Sequence, residues 1–247
     1  MTHPQAAPVV LLHPVALDAR VADWLDVPDL QALSLPGTGA PAAGATRPPG
    51  SLVELADWVA GRLTQPVHLV GCSLGGMVAM HVALRHPGLV LSLLPAFTTA
   101  RTDSHAVLAR AEHTERVGAP ALVSETLERW FTPEALTATP RPAPIAYAAE
   151  RLRAADTVAL AATWRAIADH DVQDDLGRVG VPTTFVAGRH DRSVSLESVR
   201  TAASRVPRSR LVETDDAHMG LLEQPGRFSS LVRTHVKWAS NSHVIDV

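Results

Sequence analysis

The 247-residue chain is predicted to be an α/β protein: a mostly parallel, doubly wound sheet with helices on both faces and a helical insertion after the fourth strand. Three observations lead there. Short Val- and Leu-rich runs recur without polar alternation, as strands covered on both faces do. Amphipathic helical stretches lie between them, and that alternation implies right-handed crossovers and parallel pairing. The rhythm lapses once, over residues 97 to 177, where only helical patterns occur.

Taken in order, "PVVLLH" (8 to 13) and "LQALSLP" (30 to 36) are the first two strands, followed by a Pro/Ala/Gly-rich loop over 36 to 50. "SLVELADWVAGRL" (51 to 63) is a helix. "PVHLVG" (66 to 71) is the third strand and runs straight into the helical "GGMVAMHVALRHP" (75 to 87). "LVLSLLP" (89 to 95) is the fourth. In the insertion, "ALVSETLERWF" and "IAYAAERLRAA" are helical, and the three prolines of "TPRPAPIAY" (139 to 147) mark a connector. "PTTFVAG" (182 to 188) and "SRLVETD" (209 to 215) are the last strands, with the helix "SLESVRTAASRV" (195 to 206) between them. The closing "SNSHVIDV" reads as a frayed tail. The division that follows is a core of residues 1–96 and 178–247 around an inserted helical cap, 97–177.

Composition narrows the function classes. With 22 basic and 25 acidic residues the net charge is −3, and no basic surface argues for nucleic acid. Cys72 is the single cysteine, so neither an internal disulfide nor a cysteine-based zinc site is available. The first residues lack the basic region of a secretory signal, and the longest apolar runs are far short of a membrane span. The expectation is a cytoplasmic protein with no membrane partner.

The chemistry concentrates at "GCSLG", where Ser73 stands between Gly71 and Gly75 as the third strand gives way to a helix. A serine on such a strand–turn–helix corner is lifted above the sheet edge. Small residues are needed on either side, because side chains at 71 and 75 would collide. The helix start favours negative charge developing there. The alternative is a helix-capping serine in a glycine-rich turn. A nucleophilic serine needs a base, and the base an orienting carboxylate. In doubly wound sheets such groups gather at the carboxyl ends of the strands. The loop after the fifth strand offers Asp191 and the loop after the sixth offers His218, in the chain order Ser, Asp, His expected of this elbow. Asp103 is the second candidate for the acid. His190 is expected to be exposed, His68 and His81 structural, Asp215 and Asp216 turn-forming, and Cys72 apolar core. For an oxyanion, Leu74 N–H is one donor. The loop after the first strand supplies the other; Pro14 has no N–H, so Val15 is the candidate and Ala16 the next. His13 and Pro14 read as a rigid turn shaping that loop.

Taken together, these pieces resemble the α/β-hydrolase superfamily over nearly the whole chain, and within it the 3-oxoadipate enol-lactonases and related small-molecule esterases. The matching stretches are "GCSLGGMVAMHVALRHP", "ERWFTPEAL", "YAAERLRAAD", "VPTTFVAGRHDRSV" and "AHMGLLEQPGRF". The resemblance implies the α/β-hydrolase fold, a helical cap over the serine, and catalytic roles for Ser73, Asp191 and His218. Two features depart from it. The chain begins almost at the first central strand, without the N-terminal antiparallel hairpin usual in these enzymes. The oxyanion loop reads "HPVALDARVADW", where the lactonases have an Asn-Ser-Leu-Gly-like stretch. Both leave a different, more apolar ester or lactone open beside the enol-lactone reaction.

Trp130, Arg101 and Tyr147 are the candidate substrate contacts, with Arg129 a second arginine within reach of a substrate carboxylate. The expected function is cleavage of an ester or lactone of a small organic molecule through an acyl-enzyme, with no cofactor and no metal. Lyase, elimination or cyclisation chemistry on the same residues, a haloperoxidase-like activity, and a non-catalytic ligand-binding relative are the alternatives, since fold does not dictate reaction.

Overall fold

The computed structural model describes residues 7–38 and 47–242; the middle of the loop 36 to 50 and the last five residues of the expected tail lie outside them. Among the described residues six strands form one sheet: β1 (Val9–Leu12), β2 (Leu30–Leu33), β3 (Val67–Cys72), β4 (Val90–Ala96), β5 (Thr183–Gly188) and β6 (Ser209–Thr214). Their order is β2-β1-β3-β4-β5-β6 and every pairing is parallel. The apolar runs follow from this order. β1, β3 and β5 are buried along their whole length, whereas the edge strands β2 and β6 are partly exposed. The chain moves outward from β1 to β2, then returns to add β3 on the other side of β1. The direction of winding therefore reverses between β1 and β3, which is where open α/β sheets hold their ligands.

Helices α1 (Leu52–Ala60) and α2 (Leu74–Arg85) join β2 to β3 and β3 to β4 and pack on each other. Ser51 starts α1 by accepting from Glu54 N, while the Glu54 carboxylate reaches back to Gly50 N. This reciprocal arrangement occupies two amide donors that the helix cannot use. Between β4 and β5 the described chain is helical: α3 (Ser104–Val117), α4 (Val123–Trp130), α5 (Pro133–Thr137), α6 (Ala143–Arg153) and α7 (Thr157–Ala168). The expected connector 139 to 147 is shorter than its prolines suggest. Pro142 stands at the start of α6 and Pro144 in its first turn, where a missing N–H costs nothing. The two ends of this helical stretch are zipped together: Thr102 N donates to His170 O, Val172 N to Ala100 O, and Arg101 forms a bridge with Asp171.

The chain closes with α8 (Leu196–Arg205), α9 (Gly220–Glu223) and α10 (Pro225–Ser242). Helix α10 has no counterpart in the sequence-based reading, and it runs into the expected tail. No helix among the described residues is long and apolar enough to cross a membrane. His235 of α10 reaches the sheet, its Nε2 lying 2.8 Å from Ser92 Oγ and its Nδ1 2.7 Å from Thr184 Oγ1. His68 Nδ1 lies 2.8 Å from the same Ser92 hydroxyl, so a polar chain threads an otherwise apolar layer. Burial lowers His235 to about 3. It lowers His170 to about 4; this side chain is held between His81 Nε2 (3.2 Å) and Thr99 O (2.9 Å). His13 is likewise lowered to about 4, again mainly by burial.

These three rings are neutral in the folded protein at pH values where the unfolded chain, with histidines near 6.5, is already protonated. The unfolded state then binds more protons, so their contribution is complete above pH 6.5 and declines as pH falls towards 4 and 3. Thermal unfolding followed by circular dichroism should show a level Tm above about pH 7. Below about pH 6.5 it should fall, with up to about 1.4 kcal/mol lost per pH unit for each histidine. A Tm unchanged between pH 7 and pH 5 would contradict this account.

Candidate active site

Ser73 occupies the one-residue corner between β3 and α2 at φ 53°, ψ −118°. A non-glycine residue in this region carries strain of about 1–3 kcal/mol and persists only where its surroundings hold it. Here they do. Ser73 N donates to Ala96 O at 2.9 Å, and Ser73 O accepts from Thr98 Oγ1 at 2.9 Å and from the amides of Gly76 and Met77. The flanking glycines are required by contact. A Cβ on Gly71 would strike the backbone of Gly75 and stand 2.6 Å from Gly76 N. One on Gly75 would stand 2.9 Å from His13 O and closer still to Leu12 O. The α2 backbone therefore lies directly against the end of β1.

His218, in the loop after β6, places Nε2 2.9 Å from Ser73 Oγ and Nδ1 2.8 Å from Asp191 Oδ2. Asp191 follows β5, and its other oxygen accepts from Ser193 N (2.7 Å) and Val194 N (2.9 Å). The carboxylate can only accept from the imidazole, so the Nδ1–H tautomer is selected and Nε2 is left as acceptor towards the serine. Only 3% of the His218 side chain and 2% of that of Asp191 are exposed, which shields this chain of bonds from water.

The loop after β1 is built around His13. Its Nδ1 lies 2.7 Å from Pro14 O and its Nε2 accepts from Leu35 N at 2.8 Å. Ala16, at φ 62°, gives its N–H to Thr38 O at 3.0 Å. Val15 N–H and Leu74 N–H, by contrast, donate to no protein group among the described residues, and both residues line the same cavity as Ser73 and His218. That cavity has a volume of about 300 Å³. Its apolar walls include Met77, Val107, Trp130, Trp164 and Ile167, so much of its lining comes from the helices between β4 and β5.

The other nominated residues fall in several places. Trp130 is buried and lines the cavity. Arg101 also reaches it, but its guanidinium is held by Asp171 (2.7 Å) and Asp174 (3.3 Å). Tyr147 is not part of the cavity wall; its hydroxyl donates to Asp18 Oδ1 at 2.8 Å and accepts from Asp18 N. Arg129 is paired with Glu125 at 3.3 Å and lines a small adjoining void, whose wall shares Val15, Arg110, Trp130 and Trp164 with the cavity. Asp103, the second acid, caps α3 by accepting from Ala106 N and makes no contact with His218. His190 is exposed, and Cys72 is fully buried with its thiol pushed up by burial. Arg110, Trp164, Met77 and Ser193, all cavity-lining, were not nominated from the sequence. The one signal for Arg110 is its place on the first helix after β4, a turn beyond Ala106.

Residues 7–231 match the alpha/beta hydrolase family. The chain belongs to that family. Among curated relatives of this hydrolase, the pimeloyl-[acyl-carrier protein] methyl ester esterase of Aeromonas hydrophila is 30% identical, over 94% of this chain and 96% of its own length. The 3-oxoadipate enol-lactonase 2 of Acinetobacter baylyi is 24% identical over 68% of this chain and 62% of its own length, which bears out the likeness to enol-lactonases. The solved enol-lactonase structure from Burkholderia xenovorans LB400 superposes with a TM-score of 0.87 at 21% identity, covering 96% of this hydrolase and 94% of that chain. At that identity the superposition speaks to the fold alone.

The crowding at Gly75 yields a paired test. Gly75→Ala should lower stability by about 3 kcal/mol or more, since the added methyl must displace backbone. Gly226→Ala, in α10 with nothing within 4 Å of the new Cβ, should raise stability by up to about 1 kcal/mol. Urea unfolding midpoints measure both. Similar midpoints for the two variants would mean that α2 can move away from β1.

Proposed function

We propose that this hydrolase cleaves an ester or lactone of a small organic molecule through a covalent acyl-enzyme, with Ser73 as nucleophile. The observation that carries the reading is the hydrogen-bonded series Ser73 Oγ, His218 Nε2, His218 Nδ1, Asp191 Oδ2, at 2.9 and 2.8 Å, opening on a cavity of about 300 Å³. In the first half-reaction Ser73 Oγ bonds to the substrate carbonyl carbon, its proton passes to His218 Nε2, and the carbonyl electron pair moves onto oxygen. Val15 N–H and Leu74 N–H, both uncommitted, receive that oxyanion, and the N-terminus of α2 adds a favourable field. The tetrahedral adduct collapses, and the C–O bond to the leaving oxygen breaks as His218 returns the proton to it. Water then attacks the acyl-enzyme with its proton taken by the same Nε2. The second adduct expels Ser73 and releases the carboxylic acid. Asp191 holds the imidazole tautomer and stabilises the imidazolium in both halves.

The relatives' names describe a methyl ester on a carrier-bound acyl group in one case and an enol-lactone in the other. Both are oxygen esters attacked at an acyl carbon, which supports this reaction class. The helices between β4 and β5 act in this reading as a cap that keeps bulk water from the acyl pocket, with Trp130 against the substrate.

A fluorophosphonate probe should label Ser73, located by mass spectrometry, and labelling should vanish in Ser73→Ala. In His218→Ala, and in Asp191→Asn with its tautomer reversed, ester turnover should fall by about 10⁴-fold. Undiminished hydrolysis in Ser73→Ala would remove the acyl-enzyme and favour general-base chemistry by His218.

A further inference from the structure

The cavity beside Ser73 holds a cation that the protein does not neutralise. Arg110 lines it, and among the described residues its guanidinium makes no hydrogen bond or ion pair. Its guanidinium lies over the Trp164 ring, with Cζ 4.9 Å from the ring centroid. Other arginines of this region each have a carboxylate partner: Arg101 has Asp171 and Asp174, Arg129 has Glu125 although its buried Nε makes no hydrogen bond, and Arg165 has Glu115. The carboxylate that attracts Arg110 through space, Glu125, is itself tied to Arg129 at 3.3 Å and His113 at 3.9 Å. Burial lowers Arg110 to about 10, which still leaves it charged at neutral pH. A desolvated, unpaired charge is unfavourable unless a partner completes it. Contact with the Trp164 ring restrains the guanidinium and leaves its N–H groups without protein acceptors, so a carboxylate can take two of them.

Ser73 and Arg110 share a cavity whose lining includes an apolar set of side chains beside its polar ones. Ala106, Val107 and Arg110 share one face of α3, and Arg110 lies roughly 6 Å further along the helix than Ala106. Met77 and Ile167 line the same space. A second unsatisfied polar atom, the buried Ser193 hydroxyl, also belongs to this cavity.

Building on the acyl-transfer reading above, we propose that the substrate is an ester or lactone bearing a free carboxylate, which Arg110 binds across a short apolar spacer from the carbonyl attacked by Ser73. The more apolar substrate that the altered oxyanion loop suggested gives way to an amphiphilic one. A neutral ester fills the apolar part of the cavity and leaves the guanidinium unpaired; a monoester of a short dicarboxylic acid satisfies both.

Calorimetric titration of Ser73→Ala, which holds ligand without turnover, tests this with monomethyl succinate, glutarate and adipate against their dimethyl counterparts. At least one monoester should bind 10-fold or more tightly than its diester. Adding Arg110→Gln should remove that preference, and Arg110→Lys should retain part of it. If no monoester binds better than its diester, or if the preference survives Arg110→Gln, the carboxylate subsite is overturned. Turnover of the same esters by the Ser73 protein reports on the hydrolase reading separately. Preferential binding with no hydrolysis of any ester would sink that reading and leave the subsite standing.

Discussion

The close approach of α2 to the end of β1 governs the rest of this molecule. Gly75 lies against the Leu12 and His13 carbonyls, and Gly71 against Gly75, so the chain must turn within a single residue between β3 and α2. That residue is Ser73, and the turn forces it to φ 53°. The strain has a structural return. Ser73 projects over the crevice where the sheet reverses its winding, beside the loop that carries Val15 and facing the loops that follow β5 and β6. Any larger residue at 71 or 75 would separate α2 from β1. The serine would then leave both the amide of Val15 and the imidazole of His218.

Polar groups inside the protein follow two different rules. Structural histidines are neutral and fully hydrogen-bonded: His13 between Pro14 O and Leu35 N, His235 between two hydroxyls, His170 between His81 and Thr99 O. Around the cavity the rule is broken. Arg110 and the Ser193 hydroxyl lack protein partners there, and Val15 and Leu74 hold unused amides. Buried nitrogens of Arg129 and Arg151 also lack hydrogen-bond partners, but the donors of Arg110, Ser193, Val15 and Leu74 share one 300 Å³ space, where an entering molecule can meet them.

The central strands were legible because burial on both faces demands unbroken apolar runs, and the elbow because its glycines answer to contacts that any such corner imposes. Helix α10 was not. Phe228, Leu231, Val232, Val236 and Ala239 do recur at helical spacing, but the buried stripe they form also carries the polar Ser229 and His235. Its Pro225-Gly226 start also reads as a turn. In the helices between β4 and β5, sequence marks the apolar stripe but not which side of it meets the core and which the cavity. An arginine could therefore be expected near the substrate without its position being fixed. Arg101 is paired with Asp171 and Asp174, far along the chain, Arg129 with Glu125 one helical turn away, and Arg110 has no such partner.

The loops that form the site are tied to the helices above it. Met219 N donates to Trp130 O at 3.0 Å, one residue beyond His218. Glu223 holds Thr132 through its amide at 3.1 Å and through its hydroxyl. Asp18, three residues beyond Val15, is bound by Tyr147 at 2.8 Å and by the buried Arg151 at 3.3 Å, both from α6. The imidazole and the uncommitted Val15 amide are thus each fixed from the helical side as well as from the sheet. Movement of α4 or α6 cannot leave the geometry at Ser73 untouched. Tyr147, although it does not line the cavity, bears on the site through the loop it holds.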